Sequence, residues 1–306
     1  MNEPELSVVV ALISGRTADL ERCLAALRAQ EGAPPFEILV PYDAPCAGVL
    51  ELRSRCPEVK FIELAGVDTR AARAGASREH HDTLRTLGLR AARGRHVALT
   101  EDHARAEPRW CAGLLQALEE RPKAGCAGGA VECGGAGLLA VAVWLCDFGR
   151  YQNPLPEGPT WFVSDSSICY RRAALDAVAD GWRNDYRETD VHGALAAKGF
   201  ELWLTPRVVV WQDRSALTLR QAWKERIVWD RSYAGSRVAR AGAGRRLVCA
   251  AFTPALPFLL TARVVKGVLR KKRLVGRTLL ASPLVFLLSA VQAIGELAGY
   301  LTGQSR

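Results

Sequence analysis

Several patterns that define common protein classes are missing from this 306-residue sequence. No Gly-x-Gly-x-x-Gly run follows the first apolar segment, which argues against a dinucleotide-binding dehydrogenase. The nine cysteines are odd in number and scattered, and no two of them form a Cys-x-x-Cys pair. This usage argues against a disulfide framework or a zinc site and fits reduced thiols in the cytoplasm. Met1 to Glu5 lacks the basic start and apolar core of a signal peptide, so we expect no export signal.

Charge is unevenly distributed along the chain. The net charge is +9, but the segment from Arg214 to Arg277 contains sixteen Lys or Arg and only two acidic residues. The rest of the chain therefore has a net negative charge. A basic segment of this kind binds polyanions such as anionic lipid head groups or nucleic acid. Its apolar flanks favour lipid, so we expect an anionic membrane surface and no nucleic acid as a partner.

Two apolar segments, 247–265 and 278–295, flank a stretch with six positive charges, 266–277. The second segment is at the lower limit of transmembrane length. If both segments crossed a bilayer, the basic stretch would face away from the rest of a cytoplasmic enzyme, against the positive-inside tendency. We therefore expect interfacial or shallowly re-entrant helices on the cytoplasmic face of a membrane. A soluble helical subdomain or a dimer interface is the alternative.

Strand and helix patterns alternate through the first part of the chain. The apolar run 6–13 is typical of a buried parallel strand, and helical spacing follows over 19–30. Strands are predicted at 36–40, 59–64, 95–100, 130–133, 161–170 and 201–210, with helices at 81–92, 172–178 and 185–198. The Gly-, Ala- and Arg-rich stretch 71–77 is predicted to be a mobile loop. The order predicts an α/β fold with a mostly parallel sheet flanked by helices.

An acidic group, Glu101-Asp102-His103, stands at the end of the strand predicted at 95–100. Ligands of open α/β sheets bind at the carboxyl ends of strands. Two carboxylates and an imidazole can hold a divalent cation, which would neutralise a diphosphate. The alternative is that Glu101 and Asp102 cap the helix predicted to start near Pro108.

The order of motifs resembles the family 2 glycosyltransferases of the GT-A fold, in particular membrane-associated bacterial members. The resemblance covers about residues 6 to 213. It implies a Rossmann-like catalytic domain over 1–213, followed by a basic and apolar helical tail over 214–306. It rests on an ordered series of motifs: Leu6 to Val10, Asp43, Gly94, Glu101 to His103, Pro108 to Trp110, Ser166 to Arg172, Gly181-Trp182, Arg187 to Asp190, Gly199, Pro206, and Gly295 to Tyr300.

The resemblance implies a metal-dependent and inverting transfer from a nucleotide sugar to a hydroxyl acceptor. By position, Asp43 would contact the base or ribose of the nucleotide. Asp102 would be the leading ligand of Mn²⁺ or Mg²⁺, with Glu101 near the ribose or the metal. His103 stands where an acidic residue is common, and imidazole is a tolerable ligand for Mn²⁺. Arg226 or Arg231 would help to neutralise the diphosphate leaving group.

A second acidic pair, Glu188 and Asp190, precedes Gly199 at the family spacing. Glu188 occupies the position of the family's catalytic aspartate, with Asp190 two residues later. A carboxylate there would deprotonate the acceptor hydroxyl. The alternative is a helix cap with favourable dipole contacts. Gln212 stands where many members have a histidine that binds metal or phosphate.

Two other functions stay open at this point. A nucleotidyltransferase acting on a sugar phosphate would share the α/β body, and the turn Ser14-Gly15-Arg16-Thr17 is a faint version of its phosphate loop. A catalytically degenerate, membrane-docked binding protein is suggested by Thr86, Arg187 and Gln212, which depart from the family pattern. For a transferase, the basic tail favours a lipid-linked or polysaccharide acceptor in cell-surface polysaccharide or glycolipid assembly.

Overall fold

The structure is a computed structural model that describes residues 4–43, 46, 48–65, 78–239 and 241–303. The loop predicted at 71–77 lies outside these residues. The chain forms two compact units. The first consists of Met1–Arg70, His80–Glu132 and Tyr151–Gln212, and the second of Ala71–Glu79, Cys133–Arg150 and Asp213–Arg306. The domains predicted from sequence, 1–213 and 214–306, stay a prediction, and the second unit as described also takes in Cys133–Arg150.

Within the described residues, nine strands form one sheet. Their order across the sheet is β3-β2-β1-β4-β8-β6-β9-β5, and β7 pairs with β9. The strands are β1 (Leu6–Ala11), β2 (Phe36–Asp43), β3 (Val59–Leu64), β4 (His96–Glu101), β5 (Ala104–Ala106), β6 (Ala124–Cys133), β7 (Gly158–Thr160), β8 (Ile168–Arg171) and β9 (Glu201–Gln212).

The sheet has a parallel half and an antiparallel half. β1 pairs in parallel with β2 and β4, and β2 pairs in parallel with β3. β8 is antiparallel to both β4 and β6, and β9 is antiparallel to β5 and β7. The α/β class is confirmed, while the mostly parallel arrangement holds only for the first four strands, where helices supply the crossovers that parallel pairing needs.

The helices are α1 (Thr17–Arg28), α2 (Val49–Arg55), α3 (Arg78–Ala91), α4 (Trp110–Glu119), α5 (Leu138–Phe148), α6 (Arg172–Ala177), α7 (Glu188–Ala197), α8 (Leu219–Val238), α9 (Ala243–Phe252), α10 (Leu256–Lys271) and α11 (Val275–Thr302). Short 3₁₀ turns occupy Gly149–Tyr151, Ala179–Gly181 and Thr253–Ala255. In α1, the residues that set the predicted helical spacing, Leu20, Cys23, Leu24 and Leu27, are all buried.

Two strand predictions are corrected by the structure. The strand expected at 130–133 is only the end of the longer strand β6. The glycines in the first part of β6 allow the backbone of neighbouring segments to lie close to it. A Cβ at Gly128 would lie 2.5 Å from Ser167 O, and one at Gly129 would lie 2.1 Å from Val208 O. The single strand expected at 161–170 is replaced by β7 and β8 with a turn between them. That turn is fixed to the core by Thr100 Oγ1, which donates to Ser166 O at 3.0 Å.

The second unit is helical, and α11 packs closely along α8. A Cβ at Gly295 would lie 2.8 Å from Ile227 O, and one at Gly299 would lie 2.3 Å from Arg231 O. Glycines four residues apart on one helix face therefore allow the two backbones to come together. Within the described part of the chain, Ala243–Lys271 and Val275–Thr302 are long and apolar enough to cross a membrane by length and composition.

The glycine contact makes a testable prediction about stability. Gly299→Ala places a methyl group against the α8 backbone, so it should lower the free energy of unfolding by about 1–3 kcal/mol. Gly267→Ala in α10 is the control, since a Cβ there meets no atom within 4 Å. That control should instead gain about 0.5–1 kcal/mol from helix propensity. Urea unfolding followed by circular dichroism measures both changes, and equal effects would contradict the close packing.

Candidate functional site

The candidate site lies in the first unit, where several strands end. Glu101 is the last residue of β4, and Gln212 is the last residue of β9. Asp102 and His103 follow β4 directly. Arg85 on α3 and Asp165 in the turn before β8 complete a buried polar cluster. The acidic strand end predicted from sequence is therefore joined by Arg85 and Asp165, which sequence reasoning did not select as site residues.

Asp102 holds the turn that follows β1. Its side chain is fully buried, and Oδ1 accepts hydrogen bonds from Ile13 N at 3.0 Å and from Ser14 N at 3.2 Å. Oδ2 accepts from Ser14 N at 3.2 Å and from the Ser14 hydroxyl. Both oxygens are thus engaged by donors of a neighbouring strand end. This arrangement positions the turn, and the metal-ligand role predicted for Asp102 stays a prediction.

His103 lies between the two carboxylates that precede it. Its Nδ1 is 3.2 Å from Asp102 Oδ1, and its Nε2 is 3.2 Å from Glu101 Oε2. Gln212 Nε2 donates to the same Glu101 oxygen at 2.7 Å. Gln212 Oε1 is buried and has no hydrogen-bond partner among the described residues. The side chains of Glu101, His103 and Gln212 therefore lie next to one another and form one group of oxygen and nitrogen atoms.

Arg85 connects the acidic strand end to the rest of the site. Its Nη2 donates to Glu101 Oε1 at 2.8 Å and lies 2.9 Å from Asp165 Oδ2. Burial lowers the pKa of the Arg85 guanidinium, but four carboxylates, led by Asp165 and Glu101, outweigh burial and raise this pKa. Glu188 is one of the four. The charged guanidinium therefore lies in the field of both the strand-end carboxylate and the candidate base.

Glu188 begins α7, and Asp190 lies in its first turn. Glu188 is half-buried, whereas Asp190 is exposed. The residue at the helix cap, Arg187, makes no side-chain cap hydrogen bond, and its Nε instead donates to Asp185 Oδ2 at 3.0 Å. Glu188 is thus inside the helix rather than its capping residue, and its charge is among those that raise the pKa of Arg85.

A buried chain of polar side chains fixes the start of α7. The Tyr170 and Tyr186 hydroxyls are 2.8 Å apart, and the Tyr170 hydroxyl is 3.1 Å from His192 Nε2. Tyr186 N also donates to Thr86 Oγ1 on α3 at 2.8 Å. Burial lowers the pKa of His192 to about 4, against an opposing effect of Glu188, so its imidazole is neutral at physiological pH.

Asp43 and Arg226 occupy different surroundings. Asp43 is the last residue of β2, next to β1 in the sheet, and it is buried. Arg226 belongs to the second unit, where it lies on α8 and donates from Nη2 to Asp147 Oδ1. The structure thus gives Arg226 a carboxylate partner within its own unit. The nucleotide-binding roles of both residues stay predictions.

The donor set can be compared with the needs of a divalent cation. In the described part of the chain, no three His, Cys, Asp or Glu side chains form a metal-binding group. Mg²⁺ sites at phosphates often use only one or two protein groups, with the phosphates as further ligands. Glu101 and His103 fit that smaller set, with the unpaired Gln212 Oε1 beside them. Asp102 stays a predicted ligand as well, since both of its oxygens accept hydrogen bonds as both oxygens of Glu101 do.

Comparison with known proteins identifies the fold. TarS 1–349 of S. aureus in complex with UDP-GlcNAc has a TM-score of 0.50 and 12% identity, covering 98% of this chain and 92% of that chain. The mannosyltransferase PcManGT from Pyrobaculum calidifontis in complex with GDP-Man and Mn²⁺ has a TM-score of 0.51 and 16% identity, covering 99% and 88%. No protein-family model matches the sequence, and no curated protein matches it. At such identities the similarity establishes the fold, which is the predicted GT-A fold.

Proposed function

We propose that this chain is a glycosyltransferase that moves a sugar from a nucleotide sugar to a hydroxyl acceptor. The observation that carries the proposal is that Arg85 lies in the field of both Glu101, at the end of β4, and Glu188, at the start of α7. The proposed donor-binding edge and the proposed base thus share one positively charged neighbour, which supports the proposal. Proteins of the same fold are solved with UDP-GlcNAc and with GDP-Man, which supports a nucleotide-sugar donor.

The donor would bind along the carboxyl ends of the parallel strands. Asp43 and the turn held by Asp102 lie at the ends of β2 and β1, the edge at which open α/β sheets bind nucleotides. Glu101 and His103 would hold Mn²⁺ or Mg²⁺ against the donor diphosphate. When bound, the cation would neutralise charge that develops on the leaving diphosphate. Arg226 is retained as a second candidate for that neutralisation.

In the proposed transfer step, Glu188 is the base that takes the proton of the acceptor hydroxyl. The acceptor oxygen attacks the anomeric carbon while Glu188 takes the hydroxyl proton. The bond between the anomeric carbon and the phosphate oxygen breaks, and the nucleoside diphosphate leaves with the bonding electron pair. One such displacement inverts the anomeric configuration. On these grounds we assign to the chain an inverting reaction of the family 2 type. Asp190 is the alternative candidate for the base.

The proposal is tested by ligand-induced stabilisation of the purified full chain. Melting temperature is measured with UDP-, GDP- and dTDP-sugars, each with and without Mn²⁺. We expect one nucleotide class to raise the melting temperature, with a larger rise when Mn²⁺ is present, because a ligand that binds only the folded state stabilises it. His103→Ala should remove the Mn²⁺ increment. A folded protein that no donor stabilises would contradict the proposal.

The turn after β1 argues against a nucleotidyltransferase. Such an enzyme needs free backbone N–H groups there to cradle phosphates. Here Ile13 N and Ser14 N both donate to Asp102. The nearby cation, Arg16, lies 3.2 Å from Asp19 Oδ2 through its Nε. The donors and the charge that a phosphate loop would use are therefore already bound to carboxylates.

The helical unit supports membrane association as part of the proposed function. Large apolar side chains stay exposed on α9, α10 and α11: Leu247, Val248, Phe252, Phe258, Leu259, Leu279 and Leu280. No acidic residue occurs between Asp230 and Glu296, so basic groups dominate this surface. Exposed apolar groups beside Lys and Arg are typical of helices that lie on anionic bilayers. We assign the unit to the cytoplasmic face of the membrane. All nine cysteines are free thiols in the structure, and the cytoplasm would keep them reduced.

The packing of α11 argues for an interfacial helix rather than a spanning one. Its last turns contact α8, which has seven charged residues and cannot enter hydrocarbon. Glu296 there accepts hydrogen bonds from Tyr300 and Gln292 and pairs with Arg237. The remaining uncharged part of α11, residues 278–294, is at the lower limit of the length that spans a bilayer core. A lipid-linked or polysaccharide acceptor at the membrane surface is consistent with this placement.

The proposed membrane association predicts the effect of removing exposed apolar side chains from α9. The double variant Leu247→Ser and Phe252→Ser should reduce binding to vesicles of phosphatidylcholine and phosphatidylglycerol by about tenfold or more, since each exposed apolar side chain gains about 1.5–3 kcal/mol on burial. Leu50→Ser is the control, because Leu50 is also well exposed but lies in the first unit. Cosedimentation measures binding. Equal binding of both variants and the unmodified chain would show that these side chains do not face lipid.

A further inference from the structure

The described residues 183–187 lead into α7 and form neither helix nor strand. They end at Glu188, the first residue of the helix. Just before them, Trp182 is fixed because its Nε1 donates to Leu175 O at 2.9 Å. A segment without a helix or a ladder has to satisfy its backbone groups through individual contacts with other elements. The position of the proposed base therefore depends on the contacts that hold this segment.

One of these contacts comes from Thr86 on α3. The Thr86 hydroxyl accepts a hydrogen bond from Tyr186 N at 2.8 Å, and it donates to Asp82 O in its own helix at 2.9 Å. Thr86 and Tyr186 are both buried, so loss of the hydroxyl would leave the Tyr186 N–H without an acceptor. The contact thus fixes the backbone two residues before Glu188.

The helix that supplies this contact is held closely against the sheet. A Cβ at Gly88 would overlap the Val9 side chain and would lie 3.3 Å from Pro41 Cγ, so the helix backbone lies directly on β1 and β2. Leu84 in the same helix is fully buried. Packing of this density leaves little room for a shift. Thr86 therefore projects from a rigid element.

The residue before Thr86, Arg85, contacts the other part of the proposed site. Its Nη2 donates to Glu101 Oε1 at 2.8 Å. Consecutive residues of an α-helix point in directions about 100° apart, so neighbours in sequence can contact different elements. α3 thus contacts the end of β4 through Arg85 and the approach to α7 through Thr86. The position of Glu188 relative to the strand end depends on this helix.

We propose that Thr86 is a positioning residue for Glu188, and that its hydroxyl fixes the backbone before α7 so that the carboxylate can take the acceptor proton. The inference rests on the proposed function, which makes Glu188 the base. A misplacement of about 1 Å can cost about 10²-fold in rate, so such a contact matters without touching the substrate. In this role the departure of Thr86 from the family pattern is compatible with an active site.

The first test is steady-state transfer by Thr86→Val, which keeps the shape of the side chain and removes the acceptor. We expect kcat to fall by about 10- to 100-fold, with little change in the donor KM. Thr86→Ser keeps the hydroxyl and should retain most of the rate. Thr205→Val is the matched control, because Thr205 is a buried threonine of β9 whose hydroxyl accepts from Arg207 N at 3.4 Å. It should leave kcat unchanged.

A double-variant cycle separates positioning from a general loss of stability. Thr86→Val should slow the Glu188→Gln enzyme by less than about twofold, because residues that act as one unit have non-additive effects. If the two losses multiplied instead, Thr86 would not act through Glu188 and the inference would be overturned.

Hydrogen exchange of the full chain, followed by mass spectrometry, tests the contact without any activity. Thr86→Val should raise the exchange rate over residues 183–190 by about tenfold, since a local contact protects this segment. Thr86→Ser and Thr205→Val should not raise it. Unchanged exchange in Thr86→Val would overturn the inference whether or not the chain transfers sugar. Faster exchange in a folded chain that transfers no sugar would overturn the proposed function while supporting Thr86 as the residue that fixes the start of α7.

Discussion

Glu188→Gln is expected to lower the rate of sugar transfer by about 10²–10⁴-fold, the usual contribution of a general base. The amide keeps the shape of the side chain but cannot take the acceptor proton. Donor binding should be unchanged, because Glu188 lies on α7 and the donor is assigned to the strand ends. The measurement is steady-state transfer, with the donor Kd obtained separately from melting temperatures.

Asp190→Asn is the matched control for this prediction. It makes the same chemical change in the first turn of the same helix, but at an exposed position. We expect less than a few-fold loss of rate. If Asp190→Asn were the inactive variant and Glu188→Gln the active one, the base would be Asp190. Full activity of both variants would show that neither carboxylate of α7 acts as the base.

Asp102→Ala is expected to destabilise the protein in the absence of any metal or donor. Truncation leaves Ile13 N and the Ser14 donors without their acceptor in a buried site. An unsatisfied buried donor costs about 1–3 kcal/mol, so a loss of about 2–5 kcal/mol is expected for this group. Urea unfolding in the presence of EDTA measures the change.

The alternative role for Asp102 has the opposite signature. If Asp102 were chiefly a metal ligand, removing an uncompensated buried carboxylate would leave the metal-free protein as stable or more stable. The only loss would then be the increment that Mn²⁺ adds to donor binding. Asp190→Ala, at an exposed carboxylate, controls for the general effect of losing a charge. Unchanged stability of Asp102→Ala in EDTA would contradict the positioning role.

The acidic strand end shows what the sequence predicts and what it does not. The end of β4 follows from an apolar run that stops at Glu101, and the structure confirms that strand. Which of three consecutive side chains faces a ligand depends on alternation of side-chain direction and on the neighbouring turn. Asp102 accepts its hydrogen bonds from residues about 90 positions earlier in the chain, and no local pattern reveals such long-range partners.

Arg85 and Asp165 illustrate a second limit. Arg85 stands in a helical pattern, and Asp165 lies within 161–170, where the sequence pattern predicts a strand. Their pairing becomes visible only when the turn between β7 and β8 is placed beside α3. Similarly, the apolar segment that forms α5 has no periodicity that tells which core it joins. The structure places it in the helical second unit rather than in the first.

The most direct test of the central claim is identification of the products made from nucleotide sugars. The full chain is incubated with UDP-, GDP- and dTDP-sugars and a panel of glycoside acceptors, and products are resolved by mass spectrometry. The account predicts one nucleoside diphosphate released for each sugar transferred, with release lost in Glu188→Gln. Pyrophosphate formed from a nucleoside triphosphate and a sugar phosphate, or no diphosphate from any donor with a folded protein, would contradict it.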